Sequence, residues 1–316
     1  MPTAKERKKG IRMVFKEVHK TPRIQPKEAA KILQMRPSSV GAIIREAITQ
    51  GYIVGPQLRK KSFMNLMRYI YFVNTVDPGA LYEQFMEDKS IIYHAIMRGF
   101  CNFRIVSKKK LDIDGIEIFG PCTDYYMSFP PNRSWASSID VIQRKVNAFD
   151  PQTYLPKGII KNHWNQSAEW TELDEILFRK FKYDLRRPIA PIMKEYNIQR
   201  HVIDEWLKTI SAYCSIFTAY FPETVSGYDP YIFMIETDYE DFVVDVFSQL
   251  PTSIFYYKVS DKLFIHAWID RGSMRSVTPL RDITKLHMLT LMRDLKKKEI
   301  VKNISHNSVT CYWRKE

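Results

Sequence analysis

The residues best suited to chemistry lie between Pro26 and Val54. Their hydrophobic spacing predicts two helices, Pro26 to Gln34 and Pro37 to Gln50. The first turns Ala29, Ala30, Ile32 and Leu33 inward. The second does the same with Val40, Ile44, Ala47 and Ile48, at i, i+4, i+7 and i+8. Arg36, Ser38, Ser39, Ala42, Arg45 and Thr49 are left on the outer face. Hydroxyls and free amides at a helix start suit phosphate oxygens. Arg45 offers a planar fork that matches guanine, and small Ala42 permits close approach to a groove floor. Beyond Gly51, the run Tyr52-Ile53-Val54, a Gly55-Pro56 turn and Leu58 to Phe63 predict a β-wing. Arg59, Lys60 and Lys61 on that wing would hold a DNA backbone.

The charge points the same way. Residues 1–68 hold 16 Lys and Arg against 4 Asp and Glu, so they carry 12 of the net +13. Charge this localised predicts a polyanionic partner, double-stranded DNA, because neutralised phosphates release counterions. A second helical region, Glu169 to Lys208, is neutral. Its corresponding stretch, Gln199 to Trp206, places Asp204 and Glu205 where Ala42 and Ile43 stand, which predicts a structural role.

Other chemistry finds little support. The seven histidines have no i, i+4 pairing and no cysteine partner, so no metal site is expected. His94 and His266 fall on predicted strands, as core or sheet-face residues. There is no Gly-x-Ser-x-Gly, no Walker loop and no Gly-x-Gly-x-x-Gly, so no catalytic residue and no cofactor are assigned. The three carboxylates of Asp112 to Glu117 read as a hairpin turn. Four scattered cysteines fit a reduced, cytoplasmic chain. No apolar run approaches a membrane span, and the basic N-terminus lacks the apolar stretch of a secretory signal. With 45% hydrophobic and 26% charged residues, the chain has enough apolar side chains for cores.

The elements that position these residues occur twice. A shift of 162 residues lays Tyr69 to Val73 on Tyr231 to Ile235, Phe85 on Phe247, and Val40, Ile44 and Ile48 on Val202, Trp206 and Ile210. Copy two reads as three helices (Glu172 to Tyr183, Ile189 to Tyr196, Gln199 to Tyr213), with Thr171 and Asp174 in capping-box spacing. A strand, helix, strand, strand, helix, strand run follows, the ferredoxin-like order. Copy one lacks a clear second helix, and Tyr125 to Phe129 is its expected closing strand. The expected fold is α+β: two copies of a winged helix-turn-helix followed by a ferredoxin-like βαββαβ domain, arranged as a pseudo-dimer. The expected segments are 1–65 (winged helix), 66–131 (ferredoxin-like), 132–168 (connector), 169–222 (second helix-turn-helix) and 223–316 (second ferredoxin-like).

Two stretches, Pro26 to Val54 and Thr171 to Arg186, resemble the Lrp/AsnC family of bacterial and archaeal transcription regulators. In that family a winged helix-turn-helix is joined to a ferredoxin-like RAM domain that dimerises and often binds small effectors. The resemblance implies a cytoplasmic, sequence-specific DNA-binding regulator, not an enzyme, acting as a homodimer on two half-sites. The family's glycine–acid turn between the middle strands corresponds here to Gly99 with Asn102, and to Ser260-Asp261. These four are therefore the effector-binding residues the resemblance implies. The siroheme decarboxylases are similar to the same tandem, which implies an alternative: a tetrapyrrole enzyme using histidines and arginines at the sheet interface. A protein-interaction module is the third reading.

Overall fold

The computed structural model describes residues 3–271 and 287–315. The chain divides into two compact units. Unit 1 joins Met1–Lys60 to Ala168–Ser226, and unit 2 joins Lys61–Ser167 to Gly227–Glu316. The described residues form a mixed α+β structure. None of their helices is long and apolar enough to cross a membrane.

Unit 1 is built from local signals that the sequence carries plainly. Helix α1 (Ala4–Lys20) starts at a capping box in which Thr3 and Glu6 satisfy each other's backbone amides. It begins seven residues before Ile11, its first buried apolar side chain. Helices α2 (Pro26–Leu33) and α3 (Pro37–Thr49) both place proline at the first turn, where its missing N–H costs nothing. Gly51, at φ +77°, lets the chain turn out of α3. Ala29, Ala30, Val40, Ile44 and Ala47 are buried as their spacing predicts, but Ile32 and Ile48 are exposed. In the second half, α6 (Glu172–Phe181) carries the expected Thr171–Asp174 capping box, followed by α7 (Ala190–Tyr196) and α8 (Arg200–Thr209).

The expected wing is not a hairpin. Strand β1 (Ile53–Lys60) pairs antiparallel with β7 (Cys214–Tyr220) in a two-stranded sheet. Each half supplies one strand, so the backbone groups a hairpin would satisfy internally are satisfied across the repeat.

Unit 2 carries a nine-stranded antiparallel sheet. Its first half runs β2 (Tyr69–Val73), α4 (Pro78–Glu87), β3 (Ile91–Gly99), β4 (Phe103–Ser107) and β5 (Ile116–Pro121). Copy one thus closes with β5, not with Tyr125 to Phe129. From that stretch only β6 (Tyr126–Met127) forms, and it pairs with Phe255 and Tyr256. A connector helix, α5 (Trp135–Asn147), follows. The second half runs β8 (Tyr228–Glu236), α9 (Glu240–Phe247), β9 (Phe255–Val259), β10 (Lys262–Asp270), α10 (His287–Lys297) and β11 (Asn303–Arg314).

The strand order is β5-β2-β4-β3-β11-β8-β10-β9-β6. Within each half the last strand lies beside the first, then the third, then the second. The two halves join where β11 pairs with β3, from Asn307 opposite Gly99 to Arg314 opposite Tyr93. The sheet curls until its ends meet, with Cys122, just beyond β5, bridging to Val259 on β9. One face carries Phe233, Val243, Phe247, Leu291 and Leu295 in a core with α5, α9 and α10. The inner face of the curl gathers Ile70, Phe72, Val106, Cys122, Tyr257 and Phe264.

Candidate functional site

Strand alternation decides what the inner face contains. On β4, Phe103 and Ile105 turn toward α4, which leaves Arg104 and Val106 inward. A charged side chain is thereby carried into an aromatic core, and Arg104 is only 5% exposed. Its guanidinium carbon lies 5.3 Å from the ring centroid of Tyr93, 5.4 Å from Tyr257 and 5.7 Å from Phe72. Burial works against its charge, but the oxygens of Tyr257, Tyr125 and Tyr93 around it hold its pKa above the ordinary value. Arg104 makes no ion pair, and its Nε is buried without a hydrogen-bond partner among the described residues.

The neighbours extend the same chemistry. Tyr257 is 1% exposed, its hydroxyl is buried without a partner among the described residues, and burial drives its pKa upward. Its ring stacks on Phe264, whose ring stacks in turn on Phe72 at 4.5 Å. Tyr125 lies 5.0 Å from Tyr257, and the buried Arg68 sits 5.0 Å over the Tyr125 ring. The Cys122 thiol is buried in the same cluster, and burial raises its pKa despite nearby Arg68. Flat aromatic faces, two buried cations and an unsatisfied hydroxyl make a setting for an anionic, aromatic ligand. Sequence reasoning missed Arg104 and Arg68. The available signal was a lone arginine inside the apolar run Phe103 to Val106.

The residues expected to read DNA lie in unit 1. Arg36 precedes α3, and Ser38, Ser39, Ala42, Arg45 and Thr49 are exposed along it. The backbone-holding cations differ. Lys60 is ion-paired with Glu175 and lies 4.4 Å from the Trp170 ring and 4.8 Å from that of Phe178. Arg59 lies 5.9 Å from the Tyr183 ring and donates to the Leu58 carbonyl at 3.0 Å. Lys61 is half-buried at the start of unit 2.

The four effector residues serve the turns they occupy. A Cβ on Gly99, at φ +150°, would meet the His306 carbonyl and Asn307 Oδ1. Asn102 clamps Thr75, accepting from its N–H at 3.0 Å and donating to its carbonyl at 2.6 Å. Ser260, at φ +55°, donates to the Phe119 carbonyl at 2.8 Å, and Asp261 lies 3.7 Å from Lys262. No hydrogen bond among the described residues joins the two turns. His94 is fully buried, and no group of His, Cys, Asp and Glu among the described residues is arranged to hold a metal ion.

No family model matches the chain, and no curated protein does. Two solved structures are similar to it. One is the siroheme decarboxylase NirDL, at 11% identity; the other is the same enzyme in co-complex with an iron-uroporphyrin III analogue, at 10%. Each alignment covers 97% of this chain and 92% of the other, with a TM-score of 0.48. A likeness at that level transfers neither fold nor activity.

The DNA-binding transcription regulator expected from the sequence is corrected. The similar solved structures are decarboxylases and not transcription factors, and nothing shows DNA binding. Two of the three wing cations are also engaged inside unit 1, because β1 pairs with β7 in place of forming a free hairpin. The homodimer expected from paired half-sites loses its argument with the DNA.

Proposed function

We propose that the chain is a tetrapyrrole enzyme of the siroheme-decarboxylase kind, taking its ligand against the inner face of the unit 2 sheet. The observation that supports this is Arg104, a buried cation with aromatic neighbours and no ion-pair partner among the described residues. The rings and phenol oxygens around Arg104 favour its charge, and a buried cation of this kind is a place where an entering anion would be held tightly. A uroporphyrin-type macrocycle is flat, aromatic and rimmed with carboxylates. Phe72, Tyr93 and Tyr257 would meet its plane, Arg104 and Arg68 its carboxylates, and the Tyr257 hydroxyl would donate to one of them. One of the two similar solved structures holds an iron-uroporphyrin III analogue, but the reading stands on this chain's own side chains.

The residues suggest how the chemistry would run. Arg104 would fix one carboxylate in a dry aromatic setting, where a charge-assisted pair is stronger than in water. Loss of carbon dioxide from another carboxylate of the same macrocycle, one that no cation pairs, follows R–CO2⁻ + H⁺ → R–H + CO2, with the proton taken from solvent and no oxidant needed. Moving a carboxylate out of water disfavours the charged reactant relative to neutral CO2. The chain's part is to bind, orient and exclude water.

On this reading the two sheet halves are ferredoxin-like copies, and unit 1 descends from paired helix-turn-helix segments that no longer present a wing. The five sequence segments then mark duplication boundaries inside two interleaved units. An absorbance titration with iron uroporphyrin III tests the proposal. A Soret shift that saturates at one equivalent, and that weakens at least 10-fold in Arg104→Met, supports it; an unchanged spectrum in the parent protein overturns it.

A further inference from the structure

We infer that Tyr312 is the specificity-determining residue at the mouth of the Arg104 site, the ring against which the outer part of a bound macrocycle lies; this rests on the tetrapyrrole reading above. Strand register places it there. Arg104 on β4 stands opposite Ala95 on β3, and Ala95 stands opposite Tyr312 on β11. Side chains directly opposite one another in an antiparallel pair share a face. Ala95 packs in the inner-face core, so all three project onto that face, in one row across three strands. Arg104 and Tyr312 are two strand spacings apart, about 10 Å. The small Ala95 keeps the floor between them low. The adjacent row runs Val106, Tyr93 and Arg314. The ring contacts agree with this register. Tyr93 lies 5.3 Å from the Arg104 guanidinium carbon and 6.0 Å from the Tyr312 ring, with 21° between the two ring planes.

The row begins buried at Arg104 and ends in solvent at Tyr312, which is 56% exposed. A ladder that stops explains the change. Strand β8 pairs with β11 only from Asn303 to Ser308, where Ser308 stands opposite Tyr231. Past that point the residues of β8 from Pro230 back to Tyr228 pair with β10, and the residues of β11 from Val309 on to Arg314 pair with β3. Pro230 has no N–H to donate, which suits a strand edge. Among the described residues no strand pairs with the second edge of Val309 to Arg314.

An exposed tyrosine by itself needs no explanation. What distinguishes Tyr312 is its continuity, through Tyr93 and Ala95, with a buried cation. A flat ligand whose carboxylate reaches Arg104 along this row crosses Ala95 and emerges over Tyr312, where ring meets ring. Cys311 provides the contrast. It stands opposite Ile96, which packs with the core beside α4, so its thiol lies on the other face of the strand.

Metal-free uroporphyrin III tests the assignment, read by absorbance and by alkylation. The parent should bind it with a shifted Soret band. Tyr312→Ala should bind it about 10-fold more weakly, the size of one aromatic stack, and Tyr312→Phe, which keeps the ring, should bind like the parent. A thiol at the mouth reports the cover directly. In the double variant Tyr312→Cys with Cys311→Ser, saturating ligand should slow alkylation by a maleimide about 10-fold or more. Cys311 of the parent, on the opposite face, should react at the same rate with and without ligand, which shows that the protection is local. A parent that binds no uroporphyrin overturns the tetrapyrrole reading and this assignment together. Parent binding that Tyr312→Ala leaves unchanged, or a Tyr312→Cys thiol that ligand fails to protect, overturns the mouth assignment alone.

Discussion

Arg23 and Arg186 each donate to the two carbonyls that flank the other. Arg186 bonds the Pro22 carbonyl at 2.8 Å and that of Ile24 at 2.9 Å. Arg23 bonds the carbonyls of Leu185 and Arg187. The partners lie 162 or 164 residues apart, within two of the 162-residue shift, so the exchange has the form that a two-fold between two similar segments gives. The β1–β7 register obeys the same relation: Leu58 stands opposite Ile216, and Ile53 opposite Tyr220.

That exchange predicts a specific loss. Both arginines are partly desolvated, and burial lowers the pKa of each, so their hydrogen bonds replace lost water contacts. Arg186→Ala strands two carbonyls and should destabilise unit 1 by about 1–3 kcal/mol. Arg186→Lys should recover little, because one ammonium lacks the fork that reaches both oxygens. Urea unfolding followed by tryptophan fluorescence measures both; equal stability of all three proteins would refute the clamp.

Lys60 and Glu175 give a second test on the strand first read as a wing. Burial disfavours the Glu175 charge, but Lys60, Trp170 and Arg179 hold the carboxyl down to about 2. A depressed carboxyl stabilises the folded state above its unfolded pKa, and that contribution disappears as pH falls from the usual 4.5 through about 2. Glu175→Gln should therefore cost stability at pH 7, by about 1–3 kcal/mol, and nearly nothing at pH 2. Denaturation midpoints at the two pH values decide it.

Local patterns made most of the elements legible. The Thr171–Asp174 box, the Gly51 stop and the duplicated strand–helix–strand–strand order all act within a few residues of themselves. The pairings that define the site act at long range. Nothing near Lys60 announces Glu175, 115 residues away, so its charge read as free. No local signal marks strand β7, just beyond the helix expected to end at Tyr213, because its partner β1 lies in the other copy. Arg104 reads as a polar interruption of a strand, and its burial follows only when the sheet curls and brings Tyr257 over it. Ile32 and Ile48 fit a helical stripe, but small Ala29, Ala30 and Ala47 already fill the crossing, so both are left outside.

Gly99 offers a purely conformational prediction. Its φ of +150° suits glycine, and a Cβ would collide with the His306 carbonyl and Asn307 Oδ1. Asn307 is fully buried and accepts the Phe100 N–H at 2.6 Å, so it has no room to yield. Gly99→Ala should lower stability by about 2–4 kcal/mol. Calorimetry that finds the variant as stable as the parent would remove this constraint.

Arg104 should behave in the opposite sense. Replacing a buried cation that has no ion-pair partner among the described residues with an apolar side chain of similar length removes the desolvation cost together with the ring and phenol contacts that offset it, and opens no large cavity. Arg104→Met should leave the ligand-free protein equally stable or more stable by about 1–3 kcal/mol, while ligand binding falls. A structural arginine would give the reverse, a loss of stability on substitution. Thermal unfolding without ligand separates the two.

His94 sets an acid limit on unit 2. It is fully buried on β3 between Trp313, stacked at 5.1 Å, and the edge of Tyr82 at 4.5 Å. Both ring nitrogens are buried without hydrogen-bond partners among the described residues. Burial favours the neutral ring and brings its pKa down from 6.5 to about 4. The unfolded chain therefore takes up the proton first as pH falls, so stability is full above 6.5 and declines through the window to about 4. The whole step amounts to roughly 3 kcal/mol. His94→Phe keeps a flat ring in the slot and removes the proton site. Its stability should match the parent near pH 7 within about 1.5 kcal/mol. It should then lose less than the parent between pH 6.5 and 4, where Glu175, with its lower window, contributes little to the difference. Parallel stability curves for the two proteins across that range would show that His94 does not carry the acid sensitivity.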